Sequence, residues 1–292
     1  MRLRAMAKIN LGLDVLGKRA DGYHDLRTVM QTVYMYDTLD ITMRVRPGII
    51  VETNLPFLPV DKGNLVYRAA QLLMDEFDIK NGLHIRLDKH IPVAAGMAGG
   101  SADAAAVLVG VNRMFRLGLS RNELMERGVR LGADVPYCVL RGTALAEGIG
   151  EKLTPLPPAP DCHVLIAKPP VNVSTRYVYE HLRLGADTVH PDIDGLLASI
   201  KSGNLQGMAA GLGNVLESVT VSAWPVIGEI RECMLENGAL GALMSGSGPT
   251  VFGLYADGGQ AKQARDILCR SGKAKVVYLT KLFHSGGSTR DE

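Results

Sequence analysis

The sequence predicts an α+β protein of two domains, on three observations. Its 292 residues, at roughly 150 per domain, are enough for two hydrophobic cores. Strands and helices alternate along it without a G-x-G-x-x-G opening, which sets it apart from a dinucleotide-binding doubly wound sheet. The run Thr154-Pro155-Leu156-Pro157-Pro158-Ala159-Pro160 lacks four amide donors and cannot continue a helix or a central strand. The domain junction is placed there, giving domains 1–155 and 161–284.

Taken in order, Leu3, Ala5, Ala7, Ile9, Leu11 and Leu13 recur at every second position, as do Leu39, Ile41, Met43 and Val45. Period two marks half-buried strands. Asn64 opens a helix with Leu65, Ala69, Leu72 and Leu73 on one face, expected to end near Phe77. Leu83, Ile85 and Leu87 form a strand that leads into glycines, and Ala102 to Phe115 reads as a buried helix. Ser120 with Glu123 three residues on is a capping box, which starts a helix at Arg121 that runs to Val129. Beyond the junction come a strand at His163 to Ala167, a Ser174-capped helix, and helices over 193–201 and 204–217. A helix from Trp224 to Asn237 stops at Gly238, and a hairpin-like pair flanks Ser245-Gly246-Ser247-Gly248. A helix over 259–270 and a strand over 275–282 complete the domain. The tail 285–292 (SGGSTRDE) has the composition of a disordered segment.

Composition excludes several classes of function. Lys plus Arg is 32 against 30 for Asp plus Glu, and a net charge of +2 gives no support to a nucleic-acid partner. Five Phe and one Trp argue against a base-stacking platform. The four cysteines, at 138, 162, 233 and 269, are too scattered for a metal or redox pair, as expected of a reduced cytoplasmic chain. Asn10 and Asp14 interrupt the N-terminus before an apolar run of signal-peptide length develops. The most apolar stretch, Ile91 to Val111, contains Pro92, Ser101 and Asp103, so no membrane span is expected. No protein ligands for a metal and no oligomeric state are legible.

Five constellations could carry chemistry. The stretch Pro92-Val93-Ala94-Ala95-Gly96-Met97-Ala98-Gly99-Gly100-Ser101-Ala102-Asp103 passes from strand to helix through glycines. There backbone amides approach an anion at a helix N-terminus, which suits nucleotide phosphates. It is not a Walker A loop, because no Gly-Lys-Ser/Thr follows; a tight packing turn is the other reading of the glycines. Strand alternation puts Lys8 and Asn10 on one face, either as site groups or, for Lys8, as a solvated edge charge. Asp134, between small and apolar neighbours, is either a cap or a catalytic carboxylate. Tyr23 and His24 sit in a loop between strands, and Ser245, Gly246 and Ser247 form a second small-residue loop.

Together and in this order, these elements resemble the GHMP kinases, a superfamily of small-molecule kinases. Pro92 to Asp103 resembles their central phosphate motif, and MSGSGPTVF at 244–252 their C-terminal glycine motif. AKINLGLDVLGKRADGYHDL at 7–26 and LGADVPYCVLRGTALAEGIGE at 131–151 are similar to the 4-diphosphocytidyl-2-C-methyl-D-erythritol kinases. The resemblance implies an N-terminal ATP-binding domain of the architecture shared with ribosomal proteins and a C-terminal ferredoxin-like α/β sandwich that helps bind substrate. It implies phosphorylation of the 2-hydroxyl of diphosphocytidyl methylerythritol by ATP with Mg²⁺. It assigns Asp134 as catalytic carboxylate and Lys8 as its charged partner, with ATP held by residues 92–102 and by Asn64 near adenine. Asn10 would hold the substrate, Tyr23 and His24 would contact cytosine, and Tyr179 would close over its other face. Thr175 and the loop at Ser245 to Ser247 would add polar contacts. Met97 and Ala98 depart from the commoner Leu and Gly. Another GHMP kinase, a silent ligand sensor and an RNA-binding module are the rival readings; the Gly22-Tyr23-His24 segment with Tyr179 argues against the first, Lys8 with Asp134 against the second, and near-neutral charge against the third.

Overall fold

A computed structural model describes residues 1–284; the disordered tail expected over 285–292 lies outside the described residues. Two long antiparallel strands, β1 (Arg2–Lys18) and β2 (His24–Arg44), form the spine of the first sheet. β3 (Ile49–Thr53) is followed by α1 (Leu65–Glu76) and β4 (Gly82–Asp88), and β4 bridges β3 to the far end of β2. Then come α2 (Gly99–Phe115), α3 (Arg121–Val129), α4 (Val135–Leu140), β5 (Thr143–Gly148) and β6 (Lys152–Pro155). β5 pairs with the near half of β2, and β6 pairs only with β5. Pro155 is tolerated there because the outer strand needs no further donor. The capping box on α3 is present as expected, Ser120 and Glu123 each holding the other's backbone amide, worth about 1 kcal/mol.

The second half contains β7 (His163–Lys168), α5 (Thr175–His181), α6 (Ile193–Lys201), α7 (Leu205–Ala210), β8 (Gly213–Asn214), α8 (Glu217–Ala223) and α9 (Val226–Glu236). β9 (Gly241–Met244), β10 (Val251–Tyr255), α10 (Gly258–Ser271) and β11 (Val276–Lys281) follow. Its antiparallel sheet runs β11-β7-β10-β9, the α/β sandwich expected. The single helix expected over 204–217 is a misreading. Leu205, Met208, Leu212 and Val215 have helical spacing, but the chain leaves the helix at Gly211. Gly213 and Asn214 then pair in parallel with Gly12 and Leu13 of β1. A Cβ on Gly213 would lie 2.7 Å from the rigid Pro191 ring and one on Gly12 2.8 Å from the end methyls of Ile193 and Leu196, so Gly213 is the more constrained of the two.

β1 serves three cores. Leu3 and Ala5 pack with Leu73, Val107 and Leu108 of α1 and α2. Ala7, Ile9 and Leu11 pack with Leu196, Ile166 and Phe252 of the second half, and Leu13 and Val15 with Ile227 and Ile230 of α9. The change of side falls at a register shift between Met6 and Lys8, where β2 runs from Tyr36 to Thr32 against two positions of β1. Beyond it the apolar residues of β1 pack on the second half, and Lys8 and Asn10 face the cavity. Among the described residues no helix is long and apolar enough to cross a membrane.

Candidate functional site

Residues 92–98 join β4 to α2 across a cavity of about 1020 Å³ that is walled by both halves of the chain. The backbone is left-handed at Ala94, Gly96 and Ala98, every second position. Such alternation turns successive amides toward one side and makes an anion-binding concavity. Two non-glycine residues held left-handed are a strain that surrounding contacts must fix. At Gly96 those contacts are visible: an added Cβ would lie 2.2 Å from the Ser245 carbonyl oxygen. The Ser245 hydroxyl donates to the Gly96 carbonyl at 3.0 Å. The two glycine-rich loops therefore lie back to back, and Lys8 donates its backbone amide to the Met97 carbonyl at 3.2 Å. α2 starts at Gly99, so its N-terminal dipole opens toward the loop.

Beside the loop, the Lys8 ammonium donates to Asn10 Oδ1 at 2.8 Å and lies 3.8 Å from Asp134 Oδ2. Asn10 Nδ2 donates to Thr28 Oγ1 at 2.8 Å, and Thr28 donates to the Gly12 carbonyl at 2.6 Å. This chain of bonds fixes the amide orientation of Asn10. The Lys8 side chain is only 6% exposed, which disposes of the solvated edge charge. Asp134 occupies the N-cap position of α4, yet its side chain caps nothing and is 34% exposed. The carboxylate is thus held over the cavity with oxygens to spare, against the capping reading.

At the other end, His24 and Tyr179 are ring neighbours, with centroids 4.9 Å apart and planes at 32°. Burial, and then the charge of Lys18, lower the His24 pKa, so near neutrality the imidazole is uncharged and offers one donor and one acceptor. Burial raises the Tyr179 phenol, with Asp134 adding to the effect, so it stays protonated. Tyr23 stands at the mouth of the cavity, 60% exposed. Thr175, the first residue of α5, shares a hydrogen bond of 2.8 Å with Ser247 Oγ. Asn214 Nδ2 holds the carbonyls of Met244 and Gly246 at 2.8 Å each, so the short pairing of β8 with β1 also places the second loop.

Both halves of the chain match family models: residues 64–142 the GHMP kinases N terminal domain and residues 196–274 the GHMP kinases C terminal. The 4-diphosphocytidyl-2-C-methyl-D-erythritol kinase of Lachnospira eligens is 54% identical over 97% of this chain and 98% of its own. That of Lachnoclostridium phytofermentans is 54% identical over 97% of each chain. The chain belongs to the 4-diphosphocytidyl-2-C-methyl-D-erythritol kinases, within the GHMP kinases. A crystal structure of a 4-(cytidine 5'-diphospho)-2C-methyl-D-erythritol kinase, 32% identical, superposes with a TM-score of 0.83 over 98% of this chain and 100% of the other.

For this GHMP kinase, most of the residues singled out in the sequence come together around one cavity. Lys8, Asn10, Tyr23, His24, Asn64, Asp134, Thr175, Tyr179, Gly246 and Ser247 all line it, as do Pro92 to Gly96 and Ala98 to Ser101. Three do not. The Met97 and Ala102 side chains are buried in the cores, and Ser245 is wholly buried, its hydroxyl tied to Gly96. Ala102 is on the packed side of α2, and Met97 and Ser245 lie in the two loops with their side chains turned away from the cavity. Asn64 lines the cavity while capping α1 through the Val66 amide at 2.9 Å and donating to the Pro59 carbonyl at 2.8 Å.

The sequence reading missed a buried charged cluster beneath the loop. Lys89 donates to Asp37 and, at 2.7 Å, to Asp103 Oδ2. Burial alone would lower the Lys89 pKa, but the two carboxylates outweigh it and hold it up. Burial pushes the Asp103 pKa up to about 8, Lys89 opposing and Asp37 reinforcing the shift. The only signal in the sequence was a pair of charges, Lys89 and Asp103, bracketing an otherwise apolar and glycine-rich run.

Proposed function

We propose that this chain transfers the γ-phosphoryl group of ATP to the 2-hydroxyl of 4-diphosphocytidyl-2-C-methyl-D-erythritol, in the non-mevalonate route to isoprenoid precursors. It acts in the cytoplasm, with residues 1–155 contributing the ATP site and residues 161–284 part of the substrate site. One observation supports this most: a single cavity carries the phosphate loop, the Lys8–Asp134 pair beside it, and the neutral His24 next to Tyr179 at its other end. Asp134 takes the proton of the attacking hydroxyl as the new oxygen–phosphorus bond forms. The bond from the γ-phosphorus to the bridging oxygen breaks, and its electron pair leaves on ADP. Lys8 offsets negative charge on the transferred phosphoryl, while Asn10, held by Thr28, orients the hydroxyl. Positioning and charge stabilisation are the main demands of such a transfer.

Among the described residues no group of three His, Cys, Asp or Glu could hold a metal ion. That fits Mg²⁺ arriving with ATP, since this ion commonly takes one or two carboxylates together with phosphate oxygens. Bound with ATP, the ion would neutralise phosphate charge, and Asp134 would stay free to take the proton.

The neutral His24 offers its donor and acceptor to the edge of the cytosine, and Tyr179 offers a face to its ring. Stacking of a base on an aromatic side chain is worth about 1 to 3 kcal/mol. Tyr179→Ala is therefore expected to raise the Michaelis constant for the cytidine substrate roughly 5- to 150-fold and to leave that for ATP nearly unchanged. Steady-state kinetics with each substrate varied in turn checks this. An unaltered constant for the cytidine substrate would remove Tyr179 from the site.

A further inference from the structure

We propose that Lys89 is a positioning residue for ATP, clamped between Asp37 and Asp103 so that the phosphate loop is held open from below. The proposal rests on reading residues 92–98 as the phosphate site. The Lys89 side chain is 4% exposed, and its ammonium bridges a carboxylate on β2 to one on α2. Asp37 uses its other oxygen to accept the amides of His90 and, at 2.7 Å, Ile91, the residues that enter the loop. The ammonium also lies 3.2 Å from where a Cβ on Gly99 would stand, at the point where loop becomes helix. Both ends of the loop are thus fastened to one charge.

That charge is shared by two carboxylates, and Asp103 Oδ1 is buried without a hydrogen-bond partner. The groups facing Asp103 are Asp37 from β2, Lys89 after β4, and from α4 the Cys138 thiol, which burial keeps protonated. When Asp103 carries a proton, Lys89 and Asp37 balance each other and the cluster beside the cavity is neutral. When Asp103 ionises, the cluster is left with a net negative charge beside the phosphates. ATP affinity therefore falls as pH rises through about 8.

The test measures ATP binding to the full chain by calorimetry between about pH 7.5 and 9, where Asp103 titrates, for the wild type, Asp103→Asn, Lys89→Gln and Lys89→Arg. The wild type is expected to bind several-fold more weakly at the upper end, and Asp103→Asn to bind equally at both. Lys89→Gln is expected to weaken ATP about tenfold with the cytidine substrate within about twofold, and Lys89→Arg to recover most of the loss. Should Lys89→Gln fail to fold, the Asp103→Asn profile decides, because that variant relieves a buried charge and keeps the shape. Superimposable pH profiles for wild type and Asp103→Asn would overturn the proposal, as would equal losses of both ligands in Lys89→Gln. A wild type that binds no ATP at any pH would overturn the phosphate-site reading itself.

Discussion

Asp134→Asn is expected to lower turnover by about 10² to 10⁴, the usual contribution of general-base catalysis, while both substrates still bind. The amide keeps the shape of the carboxylate and loses its basicity. Little stability is at risk, because the Asp134 side chain caps no helix and its ion pair with Lys8 spans 3.8 Å. Lys8→Ala should lower turnover as well, and the double variant should cost far less than the two effects combined, since the groups act as a unit. Lys8 also donates to Asn10 Oδ1, so its loss loosens the residue that orients the acceptor hydroxyl. Rapid-quench single turnover separates the chemical step from binding. If Asp134→Asn kept more than about a tenth of wild-type turnover, the proton would be going elsewhere.

The second large effect concerns the glycines of the phosphate loop, where the structure ranks positions that the sequence left equal. Gly96 is left-handed and backs onto a backbone oxygen 2.2 Å from any added Cβ. At Gly99 the nearest atoms are side-chain atoms of Ile91 at 3.0 Å and Lys89 at 3.2 Å, and at Gly100 only Leu65 at 3.6 Å. Side chains give way more cheaply than backbone, so Gly96→Ala should reduce ATP affinity by about 100-fold, Gly99→Ala by less, and Gly100→Ala by no more than a few-fold. Calorimetric titration with ATP, alongside circular dichroism to confirm native structure, gives the order. Equal affinities across the three would mean that the loop is only a packing turn.

How much of this was legible depends on whether the signal was local. The Lys8 and Asn10 face followed from period two, and the Asn64, Ser120 and Ser174 helix starts followed from capping chemistry. The register slip at Met6 to Lys8, beyond which this face meets the cavity, left no mark, because an irregularity of register is a property of pairing and not of composition. The Asp37, Lys89 and Asp103 cluster was hidden for a related reason. Its members are separated by 52 and 14 positions, and only the sheet and α2 bring them together. Over 204–217 local periodicity competed with a tertiary pairing, and the pairing of Gly213 with Gly12 won. The expected cytosine contacts Tyr23, His24 and Tyr179 line the same cavity, with the His24 ring against Tyr179 and Tyr23 at the mouth. A tight turn between long strands leaves its tip residue outside, and the next residue, which starts β2, points in.

The central claim is one cavity in which ATP phosphorylates a cytidine-bearing alcohol. The most direct measurement is ATP turnover by the purified chain against 4-diphosphocytidyl-2-C-methyl-D-erythritol, homoserine, mevalonate and phosphomevalonate, with the product position read by phosphorus NMR. ADP release is expected with the first alone, with a new phosphate ester on its 2-hydroxyl. Turnover of homoserine or mevalonate with none of the cytidine substrate would contradict it, because His24 and Tyr179 would then have no base to recognise.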